Sequence, residues 1–139
     1  MTNQTNILHK DLSYDLVGCI YEVRNTYGSG QKEIVYQNAL AETFHTQKIL
    51  YQQQVPIAIR SKLTRKILGR YRLDFVVESK IIVEIKAQKF TPPKIEQQLY
   101  SYLISTPYEI GYLVNFGSGE IYLKRIIYTN DRKFISFNS

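Results

Sequence analysis

The sequence predicts a mixed α/β fold, a sheet flanked by helices, and three observations carry the prediction. Apolar residues recur at intervals of three and four in two segments before position 48 and in one after position 92, which is the period of helices. Runs rich in β-branched and aromatic residues, each of strand length, lie between and after those segments. The order is therefore helix, helix, strands, helix, strands, which departs from the repeated strand-helix units of a dinucleotide-binding arrangement.

Each element has its own signal. Leu8, Leu12, Leu16, Cys19, Ile20 and Val23 mark one face of a first amphipathic helix, which Tyr27-Gly28-Ser29-Gly30 breaks. A second helix starts near Lys32 or Glu33 and runs to about Gln47, with Tyr36, Leu40 and Phe44 as its apolar stripe. Glu33, three residues before Tyr36, falls at the inner edge of that helix's N-terminus. A carboxylate there also complements the helix dipole. Val55-Pro56-Ile57-Ala58-Ile59 suits a strand, and Pro56, which cannot donate a ladder hydrogen bond, belongs at an edge, a strand start or a bulge. Residues 69–77 and 81–87 are joined only by Glu78-Ser79-Lys80, too short for a helical crossover, so they form an antiparallel hairpin. Pro92 and Pro93 open a third helix that runs through Ile104, with Ile95, Leu99, Tyr102 and Leu103 on one side. Residues 109–116, the turn Gly117-Ser118-Gly119 and residues 121–127 make a second hairpin, or two strands joined by a tight link. Beyond Tyr128 the polar sequence is expected to fray, with Phe134, Ile135 and Phe137 available for one more apolar contact.

At 139 residues the chain is one domain by size, with residues 8–128 as its body, 1–7 as a flexible N-terminal segment and 129–139 as a tail. No internal repeat is visible. The formal charge is +6, which favours a polyanionic partner such as nucleic acid. Arg60, Lys62, Arg65, Lys66, Arg70 and Arg72 fall in one stretch with no acidic residue among them. They are the candidate phosphate contacts, a solvated hairpin connection being the alternative. Cys19 is the single cysteine, which excludes an intramolecular disulfide and a cysteine-rich zinc site and suggests a buried, inert thiol. The polar start of the chain is not a secretory signal, and no apolar stretch approaches the roughly 20 residues that span a bilayer. A cytoplasmic protein without a membrane partner is expected.

The chemistry concentrates on Tyr71-Arg72-Leu73-Asp74-Phe75-Val76-Val77 and Ile81-Ile82-Val83-Glu84-Ile85-Lys86-Ala87. If Val77 pairs with Ile81, the register carries Asp74 directly opposite Glu84. Alternation then puts Asp74 and Val76 on one face and Leu73, Phe75 and Val77 on the other, with Glu84 and Lys86 opposite to Val83, Ile85 and Ala87. Like charges with Cβ atoms roughly 4.5–5.5 Å apart repel unless a cation, a proton or a base intervenes. Asp74 and Glu84 thus offer oxygen ligands to Mg²⁺ or Mn²⁺, and Lys86 can orient hydroxide or stabilise developing negative charge. A free lysine has a pKa of about 10.4, so electrostatic support is the expected role for Lys86 rather than general base. Glu33 is a candidate third ligand or water-positioning group. Gln98 and Tyr102, on adjacent turns of the third helix, can hold water and cover one side of a cleft. The bland alternative is an ordinary hydrogen-bond network in which Glu84 pairs with Lys86.

Gly30-Gln31-Lys32-Glu33-Ile34-Val35-Tyr36, Asp74, Glu84-Ile85-Lys86 and Gln98-Leu99-Tyr100-Ser101-Tyr102, taken in that order, resemble the motifs of the GxxExxY proteins, a branch of the PD-(D/E)XK nuclease-like superfamily. The similarity runs from about residue 8 to 127. It implies a restriction-endonuclease-like core, and a divalent metal, commonly Mg²⁺, used to cut DNA or RNA, with DNA weakly favoured. It assigns Asp74 to the first acidic position, Glu84 and Lys86 to the E-x-K element, Glu33 to the acidic residue of the preceding helix, and Gln98 and Tyr102 to Q-x-x-x-Y. Two departures stand out: Ile95 replaces a histidine common in relatives, and Ala58-Ile59-Arg60-Ser61-Lys62 replaces a Tyr-Lys-Gly-like stretch. The expected activity is metal-dependent phosphodiester hydrolysis. The competing expectations are a catalytically inactive nucleic-acid-binding module and a small domain that binds a protein partner or a second copy of itself.

Overall fold

The first apolar stripe forms helix α1, Lys10–Tyr27, in the computed structural model, which describes residues 8–133. Gly28 closes it with a left-handed φ of 73° and donates its N–H to the Arg24 carbonyl at 2.8 Å, a backbone shape that favours glycine. Helix α2 then spans Glu33–Thr46, starting where the sequence predicts.

Strands β1 (Tyr51–Arg60), β2 (Ile67–Val77) and β3 (Ile81–Lys86) follow, then helix α3 (Pro93–Ser105) and strands β4 (Ile110–Asn115) and β5 (Tyr122–Ile127). The strands lie in sequence order in one sheet. Neighbours are antiparallel except β3 and β4, and α3 is the crossover that this parallel pair requires. Pro56 sits in β1 at the sheet edge, as its missing donor demands.

Two layers of side chains hold the helices to the sheet. Phe75, Val77, Val83, Ile85, Tyr112 and Val114 pack against α1 and α2, while Val76, Ile82, Leu113 and Ile126 pack against α3. Gly111 lets α3 come close, since a Cβ there would meet Leu99 Cδ1 at 2.9 Å. Cys19 is buried in the first layer, and burial, then the charge of Glu22, pushes its thiol up to about 11. The thiol therefore stays protonated and unreactive near neutral pH.

Three differences from the sequence pattern have physical causes. Strand β1 begins at Tyr51, taking in the polar run Gln52-Gln53-Gln54, because an edge strand needs little apolar character on its exposed side. Leu73 packs with Val76 in the α3 layer instead of beside Phe75. Its strand breaks alternation at Asp74, which with Gln54 is missing from the β1–β2 ladder between Gln53↔Phe75 and Val55↔Leu73. The chain beyond Tyr128 does not fray at once. A 3₁₀ turn at Asn130–Arg132 follows, and Lys133 is buried with its ammonium donating to the Thr106 and Tyr108 carbonyls at 2.7 and 2.8 Å. Phe134, Ile135 and Phe137 lie outside the described residues.

Candidate active site

The β2–β3 ladder runs Val77↔Ile81, Val76↔Ile82, Phe75↔Val83 and then stops. The register is the predicted one, and the next opposed residues in it are Asp74 and Glu84. There the side chains take over from the backbone. Asp74 donates its N–H to Glu84 Oε1 at 3.1 Å, and Ile85 donates its N–H to Asp74 Oδ2 at 2.8 Å. Each carboxylate thus satisfies a main-chain donor that the parted strands leave behind.

The arrangement is electrostatically costly. Burial, then the charge of Asp74, pushes the Glu84 carboxyl up to about 8. Asp74 is raised as well, first by burial, against the Ile85 N–H and Lys86, which favour its charged form. Their carboxyls also hydrogen-bond each other. Two acids at this spacing, Glu84 buried and Asp74 half-buried, favour a proton or a nearby positive charge between them.

Helix α2 brings Glu33 to the same place. Gln37, one turn further along, donates through Nε2 to Glu33 Oε2 at 3.3 Å and to Asp74 Oδ1 at 3.5 Å. Burial and the charge of Asp74 raise Glu33, while Lys86 lowers it. The register of α2 is fixed by Tyr36, whose hydroxyl donates to the Gly28 carbonyl at 2.5 Å and accepts from Gln31 N–H at 3.1 Å. Its ring stacks on Phe116 at 4.5 Å. Lys86 ends β3, and its charge bears on all three acids.

Tyr102 on α3 forms a neighbouring wall. Burial, then the charges of Glu84, Tyr71 and Asp74, push its hydroxyl up to about 12, and its ring lies 5.4 Å from that of Tyr71. Gln98 is exposed on α3, and among the described residues no hydrogen bond joins it to the acids. Ile95, where relatives are expected to carry histidine, is a core residue of the α3 layer.

Two glutamines in the site escaped the sequence pattern. Gln37 was legible as the i+4 neighbour of Glu33. Gln54 was not: its side chain favours the charged form of Asp74 from a left-handed backbone, φ 52°, a shape that costs a residue with a Cβ about 1–2 kcal/mol.

The six basic residues lie on the β1–β2 hairpin. It extends past β3, which pairs only with residues 75–77 of β2. Val55, Ile57 and Leu73 turn toward the α3 layer. Arg70 and Arg72 alternate with Tyr71 and Leu73, so they occupy the opposite face and lead toward Asp74. Arg72 also donates to the Gln54 carbonyl at 3.5 Å, and Arg60 to that of Arg65 at 2.9 Å. All six are exposed.

Among the described residues no group of three or more His, Cys, Asp or Glu side chains is gathered tightly enough to hold a metal ion alone. The donor chemistry of Asp74 and Glu84 nevertheless fits a small divalent cation. Mg²⁺ keeps several waters and is bound through one or two carboxylates together with substrate phosphate.

A mixed five-stranded sheet flanked by helices, parted at its centre by two acids, is the restriction-endonuclease-like class of α/β fold. The family model of the PD-(D/E)XK nuclease superfamily matches residues 10–126, and the chain belongs to that superfamily. No curated protein matches it. No helix among the described residues is long and apolar enough to cross a membrane.

Proposed function

We propose that this protein is a nuclease of the GxxExxY type that hydrolyses nucleic-acid phosphodiester bonds with Mg²⁺ or Mn²⁺, DNA being favoured over RNA by the resemblance alone. The observation that carries the reading is the exchange of backbone ladder for carboxylates at Asp74 and Glu84. A fold alone licenses no activity. A pair of acids held together at the cost of raised pKa values, beside a lysine and below a basic arm, is a site-level argument.

In this reading Asp74 and Glu84 hold the cation, with Glu33 next to them through Gln37. A bound divalent cation supplies an acidified water and neutralises phosphate charge. Lys86 stabilises the negative charge that develops on the phosphate oxygens. Tyr102 keeps one side of the site dry, and Gln98, exposed on α3, is free to meet substrate. Arg60, Lys62, Arg65, Lys66, Arg70 and Arg72 bind the phosphate backbone and bring the scissile bond to the acids.

The test is an assay over single-stranded, duplex and branched DNA and RNA with added Mg²⁺ or Mn²⁺. Cleavage is expected to vanish on chelation and in Glu84→Gln. Undiminished cleavage by pure E84Q protein without metal overturns the mechanism. Salt-sensitive binding with no product under any condition selects the inactive binding module instead.

A further inference from the structure

The β1–β2 arm ends in a tip that phosphate contact does not explain. Leu63 is 94% exposed there, Leu68 71% and Ile67 36%, and these three aliphatics are interleaved with Lys62, Arg65 and Lys66. The turn that presents them is braced. Ser61 Oγ accepts from the N–H groups of Leu63 and Thr64, both at 3.1 Å, and Ser61 donates its own N–H to the Lys66 carbonyl at 2.8 Å. Arg65 N–H closes back on the Ser61 carbonyl at 3.0 Å. A single exposed leucine is commonplace. Three on a cross-braced tip, among cations and at the end of a basic arm, form a surface for a partner that is anionic outside and apolar within.

We propose that this tip is a wedge: Leu63 enters a break in a nucleic-acid duplex, a fork, junction or unpaired end, while the neighbouring cations hold the flanking phosphates. Apolar side chains inserted between base steps are a general device for unstacking them. A continuous duplex shields its base faces, whereas an interrupted one offers them at the point where its backbone is still paired. Membrane surfaces also combine anions with apolar depth, but the basic face of this arm leads to Asp74, and a bilayer has no use for that site. The seven residue-to-residue steps from Ile67 to Asp74, at about 3.3 Å each, place the base of the tip about 23 Å from the acids. Cuts are therefore expected within about one helical turn of the break. The inference rests on the nucleic-acid reading above and deepens it by naming interrupted duplexes as the substrate class.

The experiment uses forked DNA carrying 2-aminopurine at the first paired position and the full chain with Glu84→Gln, so no turnover is needed. Binding is expected to raise the fluorescence several-fold. With Leu63→Ala added, binding persists and most of that rise is lost. In the chain with its acids intact, L63A is expected to cut continuous duplex as before and to lose its preference for the fork. An unchanged fluorescence rise or fork preference in L63A overturns the wedge. So does Leu63-dependent sedimentation with phosphatidylserine vesicles in the absence of any response on DNA. If Mg²⁺ and Mn²⁺ elicit no cleavage while the Leu63-dependent rise remains, the wedge stands and the hydrolytic reading falls.

Discussion

Glu84 is the residue at which fold and chemistry conflict most directly. Its carboxyl accepts the Asp74 N–H and so is part of the sheet, yet burial lifts it from 4.5 to about 8. The folded chain binds that proton more tightly than the unfolded chain does. The resulting stability is complete below the unfolded value and is lost as pH rises through the folded one. Asp74 and Glu33 shift in the same direction. The metal-free protein is therefore expected to melt at lower temperature as pH rises from about 5 to about 8.5. Added Mg²⁺ or Mn²⁺ should restore the melting temperature most at the alkaline end, where the acids are ionised and binding to the folded state stabilises it. E84Q has no such proton to lose and should flatten much of the trend in differential scanning calorimetry. Equal slopes for the two proteins would show that the acids do not carry this strain. The sequence could place Asp74 opposite Glu84 because a three-residue connection leaves few registers. It could not reveal that the strands part there, since the part played by Gln54 depends on a left-handed φ that glutamine rarely adopts.

Helix α2 matters less for its own stability than for what its first residue reaches. Tyr36 ties the Gly28-Gln31 loop to the helix through its hydroxyl and ties the helix to β4's end through Phe116. Glu33 is thereby set one turn from Gln37 and faces Asp74. The spacing of glycine, glutamate and tyrosine thus acquires a mechanical meaning: the tyrosine anchors the loop that presents the glutamate. Tyr36→Phe keeps the stacked ring but deprives the Gly28 carbonyl and the Gln31 N–H of their partner, a loss of about 1 kcal/mol. The urea midpoint should fall with an unchanged m-value, and metal-dependent cleavage should fall further than stability alone explains, because Glu33 is no longer fixed. Loss of stability with full cleavage would confine Tyr36 to the core. Helices α1, α2 and α3 were legible because their apolar stripes repeat over three or more turns. Strand β1 was half legible: its apolar residues meet the α3 layer, whereas Gln52 and Gln53 face solvent and carry no periodic signal.

Across the whole molecule the charge is divided. Six of the 18 basic residues occupy positions 60–72 without one acid, on an arm that projects past β3, while the three site acids sit behind it where β2 and β3 part. A net charge of +6 spread evenly would attract a polyanion without orienting it. Concentrated on one arm, in the proposed reading it would draw phosphates along a line toward the acids, whose negative charge would repel them until a cation intervenes. This separation makes binding and turnover distinguishable in one titration. Arg70→Gln with Arg72→Gln should lower the slope of log affinity against log salt by about 1.8 on duplex DNA, at about 0.9 for each phosphate the pair no longer neutralises. Replacing Lys10 and Lys32, two basic residues near the starts of α1 and α2, alters net charge equally and should leave the slope nearly unchanged. Equal changes from both pairs would mean that only net charge matters. A smaller slope for the arm variant alone assigns phosphate binding to the face of β2 that leads to Asp74. The arm would then serve as the path to the site as well as a source of attraction.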